Sequence, residues 1–257
     1  MFALWQRVNL AVDRNQMTNR ISEIPLHKAA RVAGLLYLTL IISGIFAEFF
    51  VRSTLIVPGD SSATANNIMA SEGVFRASIA GGFIMIICDI ALALIFYVLL
   101  KPVNKSLSLL AAFFRLTQAS ILGFNLLNLF FVLQLLSGEG YLTVFSTGQL
   151  HSLVLLFLEA HSTGYAIGLV FFGINCFILG YLIFKSGYIP KTLGILLIVA
   201  SFGYLIDSFA NFLLPNYESY ENIFLPLVFV PAFIAELSLC LWLLVKGIKI
   251  PKIKKGT

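Results

Sequence analysis

Charge is scarce in this 257-residue chain: 11% of its residues are Asp, Glu, Lys or Arg, against 59% that are hydrophobic. That balance cannot clothe a water-soluble domain, so a hidden soluble domain is excluded. Cysteine is nearly missing. Cys88, Cys176 and Cys240 all fall inside apolar runs without metal-site spacing, so each reads as a small buried hydrophobe and no disulfide is expected. The three histidines, His27, His151 and His161, are too few and too scattered to suggest a metal centre. No phosphate-binding glycine loop, nucleophile elbow, zinc-protease helix motif or haem-attachment cysteine pair occurs. The sequence therefore assigns no metal or cofactor residues, and names no cofactor.

Long apolar runs are what the chain has in quantity. Six blocks, residues 32–50, 79–100, 107–136, 163–184, 192–214 and 224–244, are each long enough to cross a bilayer as a helix. They predict an all-α, polytopic membrane bundle of six transmembrane helices. The division expected is a basic N-terminal tail (1–29), a six-span domain (30–246) and a basic C-terminal tail (247–257). No apolar run with a small-residue cleavage pattern follows the first residues closely, so the first span is expected to stay in the protein. Phe2, Trp5, Val8 and Val12 share one helical face, compatible with a membrane-surface helix, and Met17 is an alternative start.

Basic residues set the orientation, because Lys and Arg near span ends are retained on the cytoplasmic side. Arg7, Arg14, Arg20, Lys28 and Arg31 precede the first span, Lys101 and Lys105 follow the second, Lys185 and Lys191 follow the fourth, and five lysines follow the sixth. That places fourteen of seventeen on one side, with Arg52 and Arg76 opposite and Arg115 inside a span. Both termini are expected in the cytoplasm. The net charge of +5 then serves topology and contact with anionic lipid headgroups. Nucleic acid is not an expected partner; membrane lipids are, and a small ligand, an ion or a further copy of the chain is compatible with the pattern.

One stretch strains the count. From residue 149 to 184 the apolar pattern runs unbroken, and as one helix it would reach about 54 Å, well beyond the hydrocarbon thickness. A break at Ser162, Thr163 and Gly164 is expected, leaving residues 151–159 as a short outer interfacial helix before the fourth span.

Polar residues deep in apolar runs locate a candidate site, since burial there is costly. Counted at 1.5 Å per residue from the cytoplasmic span ends, Asp89, Arg115, Asn175 and Glu236 all lie about 12–16 Å deep. They share a layer, and Arg115 is expected to bridge Asp89 and Glu236. Pro231, five residues before Glu236, frees the Leu227 carbonyl and predicts a kink beside the layer. A second, more acidic layer lies toward the outer face: Glu48 and Arg52, Asn125 and Asn128, Glu159 and His161, Asp207 and Asn211. Gly164 and Gly168 predict a close helix approach within the bundle. Tyr97 to Lys101, Tyr181 to Lys185 and Trp242 to Lys246 repeat an aromatic-to-lysine spacing at three span ends, which fits either ancestral hairpins or ordinary interfacial anchoring.

Several strings together resemble one bacterial membrane family, the domain of unknown function 4386 family. They are Ala30 to Tyr37 (ARVAGLLY), Gly44 to Arg52 (GIFAEFFVR), Gly164 to Gly173 (GYAIGLVFFG), Tyr181 to Pro190 (YLIFKSGYIP) and Gly203 to Ala210 (GYLIDSFA). The resemblance covers roughly residues 29–215 and implies a bacterial membrane protein, with the bundle expected in the inner membrane, without an established activity. In the family it resembles, the Asn175 position is associated with histidine, so asparagine here argues against a family-wide histidine ligand. The function expected is binding or movement of a small solute or ion through the inner polar layer. The alternatives are an intramembrane enzyme acting on a lipid-like substrate at the outer mouth, with His161 beside Glu159 or Asp207, and a non-catalytic membrane scaffold.

Overall fold

The computed structural model describes residues 26–248, apart from the side chains of Glu48, Phe49, Glu218, Glu221, Asn222 and Leu225. Seven helices make up the fold: α1 (Leu26–Leu55), α2 (Ser61–Ala70), α3 (Glu72–Leu100), α4 (Lys105–Leu135), α5 (Thr147–Ser186), α6 (Lys191–Leu213) and α7 (Glu221–Val245). All but α2 are long and apolar enough to span a membrane. No strand occurs among the described residues. Most of both tails, including the face formed by Phe2, Trp5, Val8 and Val12, lies outside the described residues.

The spans form a closed ring in chain order: α1 packs on α3, α3 on α4, α4 on α5, α5 on α6, α6 on α7, and α7 returns to α1. Short connections make sequential helices neighbours, but the closing contact needs a small residue. A Cβ on Gly34 would lie 2.7 Å from Leu244 Cγ and 2.8 Å from its backbone nitrogen, so only glycine lets α1 and α7 touch there. Lipid tails give helices no hydrophobic reason to associate, which leaves close packing of this kind to hold the ring. Ile87, Leu94, Phe124, Phe202 and Val230 point outward and are at least half exposed, as lipid-facing side chains should be.

Span ends rich in lysine gather at one end of the ring. The Tyr188 hydroxyl, between α5 and α6, donates to the Leu99 carbonyl near the end of α3 at 2.6 Å, and Gly247 lies against His27. Lys101, Lys105, Lys185, Lys191 and Lys246 therefore share that end. Burial pushes the Tyr188 phenol up to about 12, so it keeps the proton it donates.

The expected break in the fourth span does not occur. α5 is one helix of 40 residues, about 60 Å long, and Ser162, Thr163 and Gly164 are inside it, so no separate interfacial helix precedes the span. Its ends are well defined: Ser146 and Gln149 form a capping box, and Gly187 stops the helix at φ 73°. The apolar residues of α5 beyond the bilayer's thickness are not left uncovered. Instead α2 packs on the outer part of α5, with His151 Nδ1 3.3 Å from Ser62 Oγ and Val154 fully buried. α2 is capped by Asp60, whose carboxylate accepts from the Ala63 amide at 2.8 Å. Gly164 is needed for packing, since a Cβ there would overlap the Asn125 amide of α4.

Candidate functional site

Every span contributes a side chain to one buried layer near the middle of the ring. Tyr37 comes from α1, Asp89 from α3, Arg115 and Gln118 from α4, Phe172 and Asn175 from α5, Tyr204 from α6 and Glu236 from α7. Such convergence is what six inward faces at one depth produce. Arg115, 1% exposed, is the largest fully buried side chain of the bundle. Its Nη2 pairs with Asp89 Oδ1 at 2.6 Å. Gln118 donates to the other Asp89 oxygen at 3.2 Å. Asn175 receives a long 3.5 Å bond from Arg115 Nη1 and donates to the Ala111 carbonyl at 2.8 Å. Two rings complete the guanidinium's surroundings: Arg115 Cζ lies 5.4 Å from the Tyr37 ring centre and 5.2 Å from that of Phe172.

Glu236 departs from the expected bridge. It forms no ion pair with Arg115; its Oε1 accepts from the Tyr204 hydroxyl at 2.6 Å. Asp89 sits on the helix next to Arg115 and takes the guanidinium, leaving the carboxylate of α7 to a phenol from α6. Pro226 and Pro231 lie inside α7, which remains helical through both. The four residues singled out from the sequence thus lie in one buried layer, while Tyr37, Gln118, Phe172 and Tyr204 were not anticipated. Gln118 carried a signal, being a polar residue one helical turn from Arg115.

The outer residues converge only in part: Asn125, Asn128 and His161 meet, and Glu159 and Asp207 stand apart from them. Asn125 donates to the His161 carbonyl at 2.8 Å and lies 3.0 Å from His161 Nδ1, and Asn128 donates to Asn125 at 2.9 Å. Arg52, in a π-helical turn of α1, reaches the Ser162 hydroxyl at 3.3 Å. Glu159 is exposed, and Asp207 accepts from Tyr217 at 2.6 Å. Acid, imidazole and carboxylate are therefore engaged separately, and the side chain of Glu48 lies outside the described residues. Among the described residues no three His, Cys, Asp or Glu side chains come together as a metal-binding group.

The ring and its ionised centre define a multi-pass helical membrane protein. A family model described as domain of unknown function DUF4386 matches residues 32–247, and the chain belongs to that family. The match continues past residue 215, where the sequence resemblance ended, through α7 and Glu236. An uncharacterized protein of Archaeoglobus fulgidus is 33% identical over 178 residues, 68% of this chain and 87% of its own length. No solved structure matches.

Proposed function

We propose that this protein binds, and in doing so helps move, a small ion or solute at its inner polar layer, with Glu236 as the exchanging group. One observation carries the reading. Two buried carboxylates face one guanidinium, and the guanidinium pairs with Asp89, so Glu236 has a phenol but no cation beside it among the described residues. A lone buried carboxylate must take up a proton or a cation to stay in so apolar a place. The bundle would sit in the bacterial inner membrane with tails 1–29 and 247–257 in the cytoplasm, as the basic end of the ring suggests.

The test is thermal unfolding of the detergent-purified protein across pH, for the wild type, Asp89→Asn and Glu236→Gln, with monovalent and divalent cations added in turn. The reading expects Glu236→Gln to flatten a pH-dependent or cation-dependent step that Asp89→Asn leaves in place. If neither variant alters the profile and no cation stabilises the protein, the layer is a structural clamp and the protein a scaffold. The outer-mouth enzyme has less support, because Glu159, His161 and Asp207 are held apart.

A further inference from the structure

The connection between α5 and α6 holds two lysines in a fixed place at the lysine-rich end of the ring. The helices cross there with almost nothing between their backbones. A Cβ on Gly180 would lie 2.6 Å from the Gly194 carbonyl oxygen, and one on Gly194 would lie 2.6 Å from the Gly180 carbonyl oxygen and 2.8 Å from the Phe184 nitrogen. Contact that close sets the first turn of α6 against the last turns of α5. The connecting residues are tied down as well. Gly187 turns the chain at φ 73°, the Ser186 hydroxyl accepts from the Ile189 amide at 3.3 Å, Ile189 is buried, and Tyr188 is anchored to Leu99. On this frame the two ammonium groups rest on neighbouring rings: Lys185 Nζ lies 5.9 Å from the Tyr181 ring centre, and Lys191 Nζ lies 5.4 Å from that of Phe184. Tyr181 and Phe184 are three residues apart on α5 and share a face, so one patch of helix surface carries both cations.

We infer that Lys185 and Lys191 together clamp the phosphate of an anionic phospholipid whose acyl chains run along Tyr181 on the outside of α5. Charge complementarity chooses the ligand. Both lysines are exposed and neither pairs with an acid among the described residues. The stretches 26–36, 95–112, 178–200 and 238–248, which make up the described part of this end, contain no Asp or Glu, so the two cations look outside the protein for an anion. Position chooses its source. Tyr181, 42% exposed, stands one turn deeper in the span than Lys185, so the Lys185 head leans back toward the membrane instead of snorkelling away from it. That is the boundary between apolar span and water, where a lipid phosphate lies and which a soluble anion must give up hydration to enter. A zwitterionic lipid brings the same phosphate with a cation of its own, and gains less from the pair. The clamp is independent of the reading of Glu236.

Native mass spectrometry of the full-length protein in detergent tests this by reading the dissociation constants of single phosphatidylglycerol and phosphatidylcholine molecules. The wild type is expected to hold one phosphatidylglycerol at least about tenfold more tightly than phosphatidylcholine, since each lysine beside an anionic lipid is worth about fivefold. Lys185→Gln combined with Lys191→Gln should erase that preference. Lys101→Gln combined with Lys105→Gln removes the same charge from the same end and should leave the affinity within about threefold of the wild type, as a diffuse field alone contributes little at that distance. All four lysines are exposed, so these variants leave the packing of the fold untouched. Equal losses in the two pairs would overturn the clamp in favour of a diffuse basic surface, and equal affinity for the two lipids would overturn the choice of an anionic one. Displacement of the bound lipid by glycerol phosphate at matching concentration would overturn the lipid as occupant and leave a site for a soluble anion.

Discussion

Removing the Arg115 guanidinium leaves Asp89 buried with only the Gln118 amide for company. Arg115→Leu is therefore expected to cost about 3–5 kcal/mol, the range for an orphaned buried charge, read as a lowered unfolding temperature in detergent. Pairing it with Asp89→Asn removes the orphan, so the double variant should be more stable than Arg115→Leu alone. The opposite order would show that Asp89 leans on something other than Arg115. Tyr204→Phe should cost less, about 1–3 kcal/mol for the lost hydrogen bond to Glu236. Asp89, Arg115, Asn175 and Glu236 were legible because charge or amide in an apolar run has few ordinary explanations. Their pairing was not, since depth along separate helices says nothing of azimuth, and the ring order that sets Asp89 beside Arg115 is a tertiary fact. Tyr37 and Tyr204 gave no warning either, as tyrosine is unremarked in a membrane helix until its hydroxyl is seen to face inward.

Helix by helix, the six spans were readable from hydropathy alone and their ends fell within a few residues, apart from the extra turns added to α1, α3 and α5. The misjudged element was α5. Its apolar outer part looked like a piece that must lie down on the membrane, but the apolar side is covered by α2, a helix too polar and too short to register as a partner in the sequence. Gly164 is a contact point with α4 rather than a hinge. Gly164→Leu should push α4 from α5 and cost about 1–3 kcal/mol by overpacking, with loss of the Asn125 to His161 contact; an unchanged unfolding temperature would contradict the packing described. The connection between α5 and α6 offers a pH test. Because the folded Tyr188 phenol titrates at about 12, against 10.0 for an ordinary one, its contribution is intact below pH 10 and is lost as pH rises toward 12. Tyr188→Phe should lose less stability over that interval than the wild type does, as followed by alkaline unfolding.

For the molecule as a whole, the topology proposed above expects a reporter fused after Lys254 to read cytoplasmic and one at Ser219 to read periplasmic. A reversed pair would invert the bundle. Six spans and the clustering of lysine at one end followed from composition and spacing. Closure of the ring did not, because Gly34 meeting Leu244 joins the first and last spans across almost the whole chain.

That closing contact bears on how the protein is made. Translation delivers α7 last, so until then the Gly34 face of α1 has no helix to receive, and the bundle is an open arc in the membrane. The buried acids nonetheless have their partners on neighbouring helices of the chain: Asp89 on α3 is followed by Arg115 on α4, and Tyr204 on α6 by Glu236 on α7. The nascent chain can thus enter the bilayer one neighbour at a time, with Asp89 waiting only one helix for its cation, and the final helix brings Glu236 to the Tyr204 hydroxyl and locks the arc shut.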